Sequence, residues 1–465
     1  MDETQDNIEA HCLLVPYPVT GHINPMLQFA KRLAHKQVRV TLALTKFLLK
    51  STTGFSAGSV SLQPISDGFD DGGRSQAKNS DEYLSRFQQI GQQTLSELLR
   101  GLADLGRPVD CVIYDPFIPW VLDVAKWSGL LAAAFFTQSC AVDNIYYHAY
   151  AGELKLPLSG GGAVELPGLP AMKPDEMPSF IYVHGSHPGT FRMLMNQFRN
   201  VGEADWIFVN TFHELEEEVL EYWMSKFKRV KAVGPTVPSI YLDKRLHDDK
   251  EYGLTIFKPM TNICTEWLNL RQPRSVVYVS FGSMAELAAD QIQELVCALT
   301  TYDMHFLWVV RKSEESKLPP KFLEEASAKG LIVSWCDQLE VLAHEAVACF
   351  ITHCGWNSTL EALSLGVPIV GIPQWTDQGT NAKFVSDVWE IGIRARVDEK
   401  GVVRRDEIIR CVKSIMEGQG GKVISSNSTK WREIARGVVD EGGSSDINIE
   451  EFISSLKISK NTSRE

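Results

Sequence analysis

The sequence predicts an α/β protein of two Rossmann-like lobes facing each other across a cleft. Three observations carry this expectation. Short apolar runs alternate with helical patterns from end to end, as parallel strands joined by crossover helices do. The 465 residues suffice for two or three domains. A charged stretch without sustained apolar period, 239–260, divides the chain into halves of similar style.

In the first lobe, assigned to 1–238, the strands are read at 13–16, 38–44, 60–65, 111–114, 132–136, 206–209 and 230–233. Helical patterns lie between several of them, at 26–35, 83–105, 120–127 and 140–150. The linker is placed at 239–262. Its charges include Asp243-Lys244-Arg245 and Asp248-Asp249-Lys250. The second lobe, 263–440, has strands at 276–279, 305–310, 331–333, 348–352 and 368–371. Residues 441–465 are read as a C-terminal helix, returning to the N-terminal lobe, and a polar tail. Apolar residues at 447, 449, 452, 453 and 456 form its stripe. Open α/β sheets bind ligands outside the carboxyl ends of their strands, so the chemistry is expected where the two sets of strand ends meet.

Composition narrows the function. With 46 Lys and Arg against 58 Asp and Glu, the net charge is -12. That argues against nucleic acid or an anionic membrane as main partner. It leaves a nucleotide possible, because such sites work by local donors and helix termini. The acidic start, Met1 to Asp6, is unlike a secretory signal. The apolar run 130–136 is far shorter than the ~20 residues a spanning helix needs. Nine scattered cysteines without a Cys-x-x-Cys pair fit a reducing compartment, and the expected location is cytoplasmic. Asn427-Ser428-Thr429 matches the glycosylation pattern, which has no use without secretion. No metal is expected. Cys349, His353 and Cys354 sit around a strand that turns neighbouring side chains to opposite faces. The chain also lacks the Asp-x-Asp pair with which many sugar-nucleotide enzymes hold a hard cation.

The informative segment runs from Trp335 to Gln378. A strand feeds through Gly355 into a helix beginning near Asn357-Ser358, with Asn357 read as its N-cap. The free N–H groups of that first turn make an anion site, and His353 adds a donor. Glu361, four residues after Asn357, is suited to a ribose diol. Trp335 at the preceding strand end can stack on a flat base. Each feature alone also reads as ordinary helix capping or core packing. Their co-occurrence within 44 residues points to a nucleotide.

This segment resembles the donor-binding signature of plant family-1 UDP-glycosyltransferases, from its leading Trp to its closing Asp-Gln. The rest of the chain resembles the family as well. The resemblance implies a GT-B fold, with UDP-glucose as co-substrate and no further cofactor. It implies that Trp335 stacks on uracil, that Cys336 and Gln338 contact the uridine and that Glu361 grips the ribose. His353, Asn357, Ser358 and Ser283 would hold the diphosphate, with Trp356 beside them. Asp377 and Gln378 would bind the sugar, with Trp375 lining that end. A closing Gln goes with glucose in this family. Asp337 departs from it, standing where many relatives have Pro.

In the first lobe, His22 lies in Tyr17-Pro18-Val19-Thr20-Gly21-His22-Ile23-Asn24-Pro25, just beyond the first strand. Asn24 and Pro25 read as N-cap and first residue of the next helix, leaving His22 on a loop. Asp115 ends another strand at the same rim. A carboxylate there can orient an imidazole and stabilise its charged form. The bland alternative is a satisfied loop histidine and a turn aspartate before Pro116. Both positions match the family's catalytic His–Asp pair, and Thr137 matches a donor-sugar contact. The implied chemistry is inverting transfer of glucose to a hydroxyl or carboxyl group of a small lipophilic plant metabolite, with His22 as general base.

The acceptor pocket is expected from first-lobe aromatics, Tyr17, Phe69, Phe117, Trp120, Tyr146 and Tyr182, with Phe281 from the second lobe. The stretches 241–245 and 442–446 resemble a subgroup that often uses carboxylic acids or terpenoids. Two rival functions compete with this one. A nucleotide-dependent oxidoreductase needs Gly-x-Gly-x-x-Gly after a strand, which Phe281-Gly282-Ser283 and Thr20-Gly21-His22 do not supply. A catalytically silent UDP-sugar-binding protein would keep the donor segment without the His–Asp pair.

Overall fold

The apolar runs of the first lobe form β1 (His11–Val15), β2 (Arg39–Thr45), β3 (Ser61–Ile65), β4 (Cys111–Tyr114), β5 (Leu131–Phe136), β6 (Trp206–Val209) and β7 (Val230–Ala232). They pair in parallel in the order β3-β2-β1-β4-β5-β6-β7. The second lobe contributes β8 (Val276–Ser280), β9 (His305–Val309), β10 (Gly330–Val333), β11 (Val347–Thr352), β12 (Ile369–Gly371) and β13 (Gly392–Arg394), ordered β10-β9-β8-β11-β12-β13. The structure is a computed structural model. It describes residues 10–51, 57–159, 161–247, 249, 252–253, 260–320, 322 and 329–462. The acidic start, the polar end 463–465, and Asp248 and Lys250 of the linker lie outside the described residues.

Central strands are buried on both faces, which is why they read as continuous apolar runs instead of alternating ones. The β13 strand is not apparent from the sequence. Gly-Ile-Arg is too short to show a period, and Gly392 is required by close approach. A Cβ there would lie 2.2 Å from the Ile369 carbonyl oxygen. Strand order reverses between β1 and β4 in one sheet and between β8 and β11 in the other. These two switch points are where open α/β sheets bind ligands.

The C-terminal helix, Ser444–Thr462, packs on the first lobe. Its Ile449, Phe452, Ile453 and Leu456 are buried in the same core as β1, β5 and β6. The Phe452 ring meets Trp206 at 5.6 Å and Phe208 at 5.0 Å, both edge-on. A chain of charges ties the linker to it. Asp243 accepts from Arg32 at 3.0 Å and from Arg245 at 2.8 Å, and Arg245 reaches Asp446 at 3.0 Å. Among the described residues, no helix is long and apolar enough to cross a membrane.

Candidate active site

His22 follows β1 and Asp115 follows β4, so the first switch point brings them together. His22 Nδ1 lies 2.5 Å from Asp115 Oδ2 and 3.0 Å from Thr137 Oγ1. Asp115 is buried, and its carboxylate is fixed by the backbone N–H groups of Phe117 at 3.0 Å and Tyr17 at 3.3 Å. A carboxylate only accepts, so Nδ1 carries the imidazole proton and Nε2 is left as the basic nitrogen. The rings of Phe117 and Tyr17 stand 4.7 and 5.6 Å from that of His22.

The helix holding His22 begins earlier than its sequence suggests. It spans Thr20–His35 with Val19 as N-cap, which corrects the expectation of Asn24 as cap and Pro25 as first residue. His22 is therefore in the first turn, not on a loop. Pro25 is tolerated inside because the carbonyl it leaves unpartnered, that of Gly21, finds another donor. Asn357 Nδ2 of the second lobe donates to it at 2.9 Å.

At the second switch point, Ser283 follows β8 and His353 follows β11. The helix after β11 spans Trp356–Leu365, with Gly355 as N-cap and Gly366 closing it at φ 71°. Asn357 is thus its second residue and does not cap it, a second correction. The chain enters through Cys354 at φ 62°, which already turns it into the helix, and the Asn357 side chain points across to Gly21 instead. His353 is wedged between two glycines. A Cβ on Gly355 or Gly282 would lie 2.6 or 2.9 Å from its ring. Burial, then the nearby Arg311 guanidinium, pushes His353 down to about 4. The ring is neutral at pH 7 and keeps one N–H donor.

Glu361 is buried, and burial pushes its carboxyl up to about 8 against the hydrogen bond from Gln338. Gln338 Nε2 donates to Glu361 Oε2 at 2.6 Å and to Ser358 Oγ at 2.9 Å. It thus joins three of the expected donor residues. Trp335 and Cys336 lead from β10 into the short helix Gln338–Leu342, whose N-cap is Asp337. Its side chain accepts from Glu340 N at 3.1 Å, a capping bond no proline can make.

The segment Trp375-Thr376-Asp377-Gln378 folds onto itself. Gln378 Oε1 accepts from the backbone of Gln374 and Trp375, at 2.8 and 3.0 Å, and Asp377 accepts from Thr376 Oγ1 at 2.5 Å. The Trp375 ring stands 6.1 Å from Phe180 of the first lobe. Asn381, which the sequence motifs do not single out, donates to Asp377 Oδ2 at 2.7 Å and accepts from Ser139 Oγ of the first lobe at 3.1 Å. Its i,i+4 spacing from Asp377 is the signal that points to it. Trp356 also crosses the cleft, its Nε1 donating to the Asn210 carbonyl at 2.8 Å.

Residues 249–423 match the family model of UDP-glucoronosyl and UDP-glucosyl transferases. Mogroside I-E synthase of Siraitia grosvenorii is 45% identical over 451 residues, covering 97% of this chain and 99% of the relative. A flavonol 7-O-beta-glucosyltransferase of Arabidopsis thaliana is 44% identical over 461 residues, 97% of this chain and 100% of its own. The crystal structure of Os79 from O. sativa in complex with UDP superposes with a TM-score of 0.89 at 40% identity, covering 96% of this chain and all of that one.

The chain belongs to the UDP-glycosyltransferase family. Its fold is GT-B, and it is a UDP-glycosyltransferase. Of the aromatics expected to line this transferase's acceptor pocket, Tyr17 and Phe117 gather at His22. Tyr146 is buried with its hydroxyl unpartnered among the described residues. Phe69 stacks on Tyr83, Trp120 packs edge-on against Phe87, and Phe281 is buried in a second-lobe core. Tyr182 is exposed. The Cys349, His353 and Cys354 trio is split, with Cys349 and Cys354 in different cores. Asp143 is a further group that no sequence motif marks. It is buried, neither carboxyl oxygen has a partner among the described residues, and burial pushes its pKa well above the carboxylate range.

Proposed function

We propose that this transferase moves glucose from UDP-glucose to a hydroxyl or carboxyl group of a small lipophilic plant metabolite, with inversion and without a metal. The observation that carries the reading is His22 held through Nδ1 by a buried carboxylate, with Nε2 left basic, in the helix turn that touches the donor-site helix. His22 Nε2 takes the proton of the acceptor hydroxyl as that oxygen bonds to the anomeric carbon. The bond from that carbon to the phosphate oxygen breaks on the opposite face, and UDP leaves with the electron pair. An α-linked donor then gives a β-glucoside. Asp115 stabilises the imidazolium.

Leaving-group charge is met by neutral His353, Ser358 and the N-terminus of the helix Trp356–Leu365. Trp335 stacks on uracil, with Cys336 and Gln338 at the base. Glu361 takes the ribose. Ser283 and the backbone N–H of Asn357 are at the diphosphate, and Thr137, Trp375, Asp377 and Gln378 at the sugar. Tyr17 and Phe117 are the acceptor contacts best supported by proximity to His22. The names of the relatives, a mogroside synthase and a flavonol glucosyltransferase, support acceptors of this size and character. A cytoplasmic location belongs to the same proposal.

The test is UDP release from the purified protein with UDP-glucose and EDTA, over a panel of phenols, terpenoid alcohols and carboxylic acids. Acceptor-dependent release giving a β-linked product is expected. Tight UDP-glucose binding with no release across a widened panel would make the protein a silent binder. Release only after metal is restored would refute the metal-free step.

A further inference from the structure

We propose that Asn357 is a positioning residue that places His22 from the opposite lobe, by holding the Gly21 carbonyl that Pro25 leaves without its helical partner. The inference rests on the reading of His22 as general base. In a helix, the N–H of residue 25 would bond the carbonyl of residue 21. Proline has no N–H, so the Gly21 oxygen lacks that intrahelical donor. Asn357 Nδ2 donates to this oxygen at 2.9 Å. Because a carbonyl only accepts, the amide has one workable orientation, with Nδ2 toward Gly21. Asn357 Oδ1 is then left buried and without a partner among the described residues, so the amide is held by this contact and not by its own helix.

Gly21 is bonded directly to His22, and Asn357 sits beside Ser358 in the first turn of the donor-site helix. Closing the cleft around the donor and setting the height of the base become one event. Neighbouring crossings, Trp356 to Asn210 and Ser139 to Asn381, hold the lobes together around the contact but do not touch the His22 helix. The Gly21–Asn357 bond joins the two switch points at the reacting groups.

The experiment is a double-mutant cycle. Asn357→Ala is expected to lower kcat for a phenolic acceptor about ten- to hundredfold, the effect of a base displaced by an ångström or less. The UDP-glucose KM should stay within about twofold, because the backbone donors of the helix turn are intact. In a His22→Ala background the same change should cost less than about threefold, since no base remains to be placed. Pro25→Ala gives the carbonyl a competing intrahelical donor. It should lower kcat while the melting temperature holds or rises, the reverse of a merely structural lesion.

Asn357→Asp, with an acceptor facing an acceptor, should not restore activity. A raised KM with unchanged kcat, or full additivity with His22→Ala, would overturn the proposal in favour of direct phosphate binding. If wild type transfers to no acceptor, the parent reading fails. The contact is then still tested by hydrogen exchange, which should quicken in the peptide 19–26 of folded, UDP-binding Asn357→Ala. Unchanged exchange there would overturn it.

Discussion

The elevated Glu361 carboxyl makes donor binding a proton-releasing step if that group grips the ribose as proposed. Burial holds free Glu361 up to about 8, so it is mostly protonated at pH 7. A ribose diol presents two O–H donors, which bond best to an ionised carboxylate. Suppose they lower its pKa by two units, worth about 2.7 kcal/mol and within reach of two charge-assisted bonds. Linkage then gives release of ~0.8 proton per UDP-glucose bound at pH 7, and ~25-fold tighter binding at pH 8 than at pH 6. The UDP-glucose phosphates do not titrate in this window, and His353, held down to about 4, stays neutral throughout it. Titration calorimetry in buffers of different ionisation enthalpy counts the protons. Glu361→Gln should bind more weakly, with no proton release and a flat pH profile. Proton release that persists in Glu361→Gln, or none in wild type, would refute the assignment of this group to the ribose.

His22→Ala should cut transfer to a phenol by about 10²–10⁴, the usual worth of a general base. It should leave transfer to a carboxylic acid within about tenfold, since a group of pKa ~4 arrives deprotonated. Equal losses in a side-by-side product assay would refute the base role. Burial raises the Asp143 carboxyl in the fold, whereas the unfolded chain ionises it above about pH 4, so its burial costs stability increasingly as pH rises. Asp143→Asn should match wild type near pH 4 and exceed it at pH 8 by ~1 kcal/mol or more, roughly 2–4 °C in the Tm of the first lobe unfolding as its own unit. A difference independent of pH would show that ionisation is not the cause. Phe452→Ala should cost about 3–5 kcal/mol in denaturant unfolding of the first lobe. A loss under about 1 kcal/mol would mean that the C-terminal helix is not part of that core.

Strands are legible in the sequence wherever burial on both faces makes an apolar run, as at β4 and β11. Rim positions follow from the strand ends, which is how His22, Asp115, Ser283 and His353 can be placed from the sequence. Local signals fail where a distant partner decides the outcome. Pro25 looks like a helix start because an interior proline normally strands a carbonyl, and nothing near it in sequence reveals that Asn357 supplies the missing donor. Asn357 looks like a cap for the same reason. The acceptor aromatics are the least legible. Whether a ring enters the core, as Trp120 and Phe281 do, or stands by the base, as Phe117 does, depends on packing that no periodicity encodes.

The C-terminal helix has a consequence for how the protein is made. Residues that complete the core beside β6 emerge from the ribosome only after the whole second lobe has been translated. At about 5–20 residues per second, the first lobe waits roughly 10–40 s between finishing β7 and receiving Phe452. During that interval the faces of Trp206 and Phe208 stand open to any apolar visitor. Nascent chains halted before Ser444 should therefore be chaperone clients, and the last nineteen helical residues are the step that releases them.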